Sequence, residues 1–118
     1  MKINYIKWMS HNEAIGEFSD GIYTYIIFCH PCNKNMFENI PEILYAFDVN
    51  NIMKNTDNQS FISCNKTTLE CFCIGKVLSL SPLTVSIGKL KIEIEENIPN
   101  DIVIGDTIQF QCNRLDMY

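Results

Sequence analysis

Arginine is almost missing from this chain. Arg114 is the only one in 118 residues, and nine basic side chains stand against fourteen acidic ones, a formal charge of −5. Nucleic-acid binders cluster Lys and Arg to displace counterions from phosphates, so direct nucleic-acid binding is not expected. Histidine is scarce as well, with only His11 and His30, and neither sits in a pattern that would activate a nucleophile. Five glycines make no phosphate-cradling loop, and no nucleophile elbow is present. No catalytic motif and no cofactor are implied. No apolar run approaches the roughly 20 residues that cross a bilayer as a helix. The longest, residues 22–29, is broken by Thr24. The opening residues MKINYIKWMS carry two lysines but no following apolar stretch or small-residue cleavage site, which is not the pattern of a signal peptide. The expectation is a soluble cytoplasmic protein with no membrane partner.

What the chain has in quantity is short-period alternation. Leu78, Leu80, Val85, Ile87, Leu90, Ile92, Ile94, Ile102, Ile104, Ile108 and Phe110 recur at every second position within short runs, broken at Ser81-Pro82, Gly88, residues 97–100 and Gly105-Asp106. Alternating β-branched and aromatic residues between turn formers mark half-buried antiparallel strands. Strands are expected near residues 2–9, 22–29, 69–80, 83–87, 89–95 and 107–113. Residues 42–49 fit either a strand or a short helix, and the strand is favoured. Ser19-Asp20-Gly21 is a turn, because Gly admits positive φ and Asp caps its own backbone. Residues 33–40 suit a short helical turn, and the polar stretch 50–60 (NNIMKNTDNQS) a mobile loop. The fold class is therefore mainly β, one domain spanning residues 1–118: a compact antiparallel β-barrel or β-sandwich with at most one short helix. Closing or stacking the sheet hides its edges. The run GKVLSLSPLTVSIGKLKIEIE followed by IPNDIVIGDTIQF, in the last 45 or so residues, resembles the strand–turn–strand segment of small OB-like or SH3-like barrels.

Six cysteines need an account: Cys29, Cys32, Cys64, Cys71, Cys73 and Cys112. Without a secretion signal, reduced thiols are favoured over a disulfide framework. Cys71, Cys73 and Cys112 lie within strand patterns and read as small core residues. Cys71 and Cys73 share a face if that strand is regular. Cys29-His30-Pro31-Cys32 is the sharpest local motif. It resembles the redox pair of thioredoxin-like proteins, and Ser81-Pro82-Leu83-Thr84-Val85 resembles the stretch around the cis-proline of that family. The resemblance implies Cys29 as attacking thiol and Cys32 as resolver, with a helix N-terminus stabilising the thiolate. The chain lacks the long helices of that family and closes on a strand pattern. Cys29 and Cys32 have zinc-ligand spacing, and Cys71 with Cys73, or Cys64, could complete four, but one CxxC and one CxC lack the two-knuckle pattern of a zinc site, so no metal is expected.

The acidic residues Glu93, Glu95, Glu96, Asp101 and Asp106 cluster around the last predicted hairpin and the turn after it. An acidic face steers and holds a basic protein partner. Small size, acidity, an Ile- and Asn-rich composition of the kind an AT-rich genome produces, and the lack of catalytic motifs give this chain a likeness in type to bacterial immunity proteins. That likeness implies a non-catalytic protein that neutralises a cognate toxin, basic and of the nuclease kind, by occluding its active site. Those five acidic residues are the candidate toxin interface. Two alternatives stand beside it: a thiol-disulfide redox protein using Cys29 and Cys32, and a structural component of a phage-tail or secretion-type assembly.

Overall fold

The period-two pattern becomes strand wherever the backbone finds a partner. The computed structural model describes residues 1–117. Among these are eleven strands and no helix: β1 (Lys2–Trp8), β2 (Ala14–Ser19), β3 (Thr24–Cys29), β4 (Ile43–Phe47), β5 (Asn50–Lys54), β6 (Phe61–Cys64), β7 (Cys71–Leu80), β8 (Leu83–Ile87), β9 (Leu90–Ile94), β10 (Thr107–Cys112) and β11 (Arg114–Met117). They pair in the order β1-β2-β3-β11-β4-β9-β8-β7-β10-β5, and β6 pairs with β7 off that path. The radius of gyration is 13.9 Å, close to what a compact chain of this length has.

The β8–β9 hairpin shows most directly how sequence makes structure. Leu83, Val85 and Ile87 face inward opposite Ile94, Ile92 and Leu90, while Thr84, Ser86, Lys91 and Glu93 take the other face. Gly88, at φ 58°, opens the two-residue turn between them, a backbone state that glycine adopts at little cost. Tyr25, Phe18, Phe110, Leu44 and Ile92 are among the largest side chains buried in the core.

Three expectations are corrected. First, the strands are not all antiparallel. β11 pairs parallel to β3, and β4 pairs parallel to β9, so the sheet is mixed. The last strand inserts between β3 and β4, a long-range choice that local patterning does not encode. Backbone pairing leaves the path open, with β1 and β5 at its ends. Second, residues 33–40 form turns and no helix. Phe37 anchors them by stacking on Phe18 with ring centroids 5.4 Å apart. Third, the polar stretch at 50–60 begins with strand β5, paired to β10. An edge strand needs backbone partners but little apolar surface, and only Ile52 of this one is half-buried. Gly16 lies inside β2. A Cβ there would meet the Phe18 ring and come within 3.0 Å of the Phe37 ring.

One carboxylate joins distant parts of the sheet. Asp20, in the β2–β3 turn, accepts the Ile22 and Tyr23 N–H groups on Oδ1 at 2.9 and 2.8 Å. Its Oδ2 accepts the Tyr25 hydroxyl at 2.7 Å and the Lys89 N–H, from the β8–β9 turn, at 3.0 Å. The Ile87 carbonyl lies 2.8 Å from the same Tyr25 hydroxyl as a second acceptor. Burial pushes the Asp20 carboxyl up, but the backbone donors of Tyr23 and Ile22, the Tyr25 hydroxyl and the Lys89 N–H outweigh it. The net effect holds the group well below the usual carboxylate range. Such a group adds stability that is full above the unfolded pKa of about 3.9 and is lost as pH falls from there through the lower folded-state value. Asp20→Asn is therefore expected to lower unfolding free energy by about 2–3 kcal/mol at neutral pH. In urea titrations the gap to wild type should narrow under acid. A gap that is constant with pH would assign the loss to shape rather than charge.

Candidate functional site

The mixed pairing lays a row of functional side chains across three strands. Asp116 of β11 is opposite Tyr45 of β4, and Tyr45 is opposite Glu93 of β9. Residues directly opposed across a ladder share a face, so the row points one way. Glu95 and Glu96 follow the end of β9, and Asp48 follows β4. All six, with Ala46 and Phe47, line one cleft of about 320 Å3. Glu95, Glu96 and Asp48 are exposed, Glu93 is half-buried and Asp116 is buried. Among the described residues, no ion pair involves Glu93, Glu95 or Glu96.

The only arginine pairs with the buried carboxylate of this cleft. Arg114 Nε donates to Asp116 Oδ1 at 2.7 Å. Its guanidinium lies 4.4 Å from the centroids of both Phe28 and Phe47, and a planar cation is attracted to each ring. Burial pushes the Asp116 carboxyl up, and the hydrogen bond and charge of Arg114 pull it back in part. Asn113 donates to Asp48 Oδ2 at 2.6 Å, which fixes one carboxylate at the rim.

The five acidic residues singled out from sequence thus divide. Glu93, Glu95 and Glu96 come together in the cleft. Asp101 and Asp106 lie apart from it, 4.0 and 3.5 Å from Lys54 Nζ. The Val103 N–H, 2.9 Å from Asp106 Oδ2, chiefly holds the Asp106 carboxyl down, with help from Lys54. Those two carboxylates staple a turn to β5. Asp48 and Asp116, which join the acidic row, gave no sequence signal: one is an ordinary loop residue, and the other sits on a strand visible only through its pairing.

Cys29 and Cys32 are joined by a disulfide. Both are buried, and the Cys32 N–H donates to the Asn12 carbonyl at 2.7 Å. The peptide bonds before Pro31 and Pro82 are both cis. Because residues 33–40 are turns, no helix N-terminus faces Cys29. Among the described residues, no group of three or more His, Cys, Asp or Glu side chains has the geometry to hold a metal ion. No family model, curated protein or solved structure matches this chain.

Arg114 is the counter-charge of the cleft's buried carboxylate, Asp116. Arg114→Met would keep much of the stem but leave Asp116 buried without its counter-charge. We expect a loss of about 2–3 kcal/mol, between the values for exposed and fully buried pairs. Asp116→Asn in the same background should recover part of it. No recovery in chemical denaturation would show that Arg114 acts through its ring contacts alone.

Proposed function

We propose that this chain is a non-catalytic protein-binding protein, and within that class an immunity protein that neutralises a cognate bacterial toxin by covering its active site. The observation that carries this reading is the acidic row Asp116–Tyr45–Glu93, extended by Glu95, Glu96 and Asp48 along one cleft. Carboxylates held by a rigid sheet raise the encounter rate with a basic surface and need little reordering to bind it. Tyr45 and Phe47 supply aromatic surface beside the charge. The mechanism is occlusion by a preformed surface. The partner is a basic protein of the nuclease kind.

A second reading also has an observation in its favour. Every residue of β1 is exposed, including Ile3, Tyr5, Ile6 and Trp8, and among the described residues no strand pairs with its outer edge. An apolar edge strand of this kind can add to a neighbour's sheet, as a component of a phage-tail or secretion-type assembly would do. The redox reading draws on the Cys29–Cys32 bond, though burial of both sulfurs limits access by a protein thiol.

Co-purification at low and high salt from the cells that make the protein separates these readings. The immunity reading expects one stoichiometric basic partner, released by salt, and a monomeric free protein. Glu95→Lys with Glu96→Lys should weaken that complex at least about tenfold, since like charges at an interface cost several kcal/mol. Asp101→Asn, ion-paired away from the cleft, should leave it unchanged. A defined homo-oligomer with no partner would favour the assembly reading. Mixed disulfides trapped through Cys29 would favour redox chemistry.

A further inference from the structure

The four remaining cysteines are gathered on the sheet far from Cys29 in pairing order. Cys71 begins β7, with Cys64 of β6 directly opposite on one side and Cys112 of β10 directly opposite on the other. Cys73, two residues along β7, is buried like Cys71. Directly opposed residues of an antiparallel pair have Cα atoms about 4.5–5.5 Å apart, within the range a disulfide spans. Cys71 therefore has two partners of suitable geometry and can bond only one at a time. Its Sγ lies 2.6 Å from Cys64 Sγ. Cys71 and Cys112 are buried, whereas Cys64 is half-buried. All three line a pocket of about 480 Å3 together with Ser63, Glu70 and Gln111.

We propose that Cys64, Cys71 and Cys112 form an oxidation site for small peroxides, in which Cys64 is the attacking thiol, Cys71 closes a disulfide onto it, and Cys112 exchanges for Cys64. The pocket admits a small oxidant to half-buried Cys64, and the buried Cys71 and Cys112 stand on the same wall. In the first step the Cys64 thiolate attacks one oxygen of hydrogen peroxide. The O–O bond breaks, giving a sulfenic acid at Cys64 and hydroxide. In the second step the Cys71 sulfur attacks the Cys64 sulfur, the S–O bond breaks, and water leaves with the Cys71 proton. Two thiols have lost two electrons and two protons, and the peroxide has become two waters. In the exchange step the Cys112 thiolate attacks Cys71 Sγ, and Cys64 departs as a thiolate. The cross-link then moves from β6–β7 to β7–β10.

The electrostatics favour this division of roles. Hydrogen bonding from Cys71 holds the Cys64 thiol down despite its burial. Hydrogen bonds from Cys71 and Cys73 hold the Cys112 thiol down. Hydrogen bonds to Cys112 and Cys64, with burial, push Cys71 up, and the bond to Cys112 with burial does the same to Cys73. These bonds favour the thiolate form of Cys64, as its attack on the peroxide requires, while Cys71 gives up its proton only as it closes the disulfide, to the hydroxide leaving the sulfenic acid. This proposal does not rest on the acidic cleft or on any toxin.

The test starts from the full chain, completely reduced, treated with hydrogen peroxide, quenched with an alkylating reagent and digested without reductant for mass spectrometry. A Cys64–Cys71 cross-link should appear first and a Cys71–Cys112 cross-link later. Cys112→Ala should abolish only the later species. Cys71→Ala should abolish both and leave Cys64 as a sulfenic acid trapped by dimedone. Should Cys71→Ala not fold, the wild-type time course decides alone. Wild-type Cys64 and Cys71 that remain alkylated under excess peroxide would overturn the proposal. So would a Cys64 that proceeds to sulfinic acid without any cross-link.

Discussion

The Asp20 carboxylate is the point at which the β2–β3 turn is held to the β8–β9 turn. Strand β3 and the β8–β9 hairpin are separated in pairing order by β11 and β4, yet Asp20 and Tyr25 on one side reach Lys89 and Ile87 on the other. A partly buried carboxylate is costly unless its lone pairs are filled. Here four donors fill them, and each comes from a turn or strand that must already be in place. The arrangement is consequently an all-or-none feature. If the β8–β9 turn moves, Asp20 loses a donor and Tyr25 loses an acceptor. The same side of the sheet is tied a second time, by the Tyr23 hydroxyl donating to the Ser60 carbonyl at 2.9 Å, just ahead of β6.

Insertion of β11 between β3 and β4 connects that framework to the acidic cleft. The strand is only four residues long, but it places Leu115 in the core and brings Asp116 beside Tyr45. It also carries the single arginine into a slot between two phenylalanine rings. That placement gives the scarcity of arginine a physical sense: the one guanidinium present balances a buried carboxylate, so the cleft rim is left acidic. Asp101 and Asp106 have lost that freedom to Lys54. Net charge alone does not distinguish the two sets of carboxylates, because the difference lies in what each set faces.

The sulfur atoms divide along the same structural lines. Cys29 and Cys32 are close in sequence, and a tight turn brings them together. Cys64, Cys71 and Cys112 meet only because three strands are in register. Their pocket and the acidic cleft lie on different strands, so a partner in the cleft and an oxidant in the pocket would not compete for the same side chains.

Sequence by itself determined the strand content of this protein. Inward Leu83, Val85, Ile87, Leu90, Ile92 and Ile94 alternate with polar residues, and an alternating chain has one low-energy way to hide one face and wet the other. The Ser19-Asp20-Gly21 turn was legible for an equally local reason, the backbone freedom of glycine and the reach of an aspartate to its own N–H groups. Strands β2, β5, β6 and β11 were not legible. Strands β6 and β11 have only four residues, β2 carries Gly16 and Glu17 at its middle, and β5 leaves four of its five residues exposed, so each depends on a neighbour for backbone partners. Parallel pairing, the order of strands and the division of the acidic residues were decided only by tertiary structure. Register and neighbour identity are set by contacts between residues tens of positions apart. Asp48 and Asp116 joined Glu93 only once the last strand had found its place between β3 and β4.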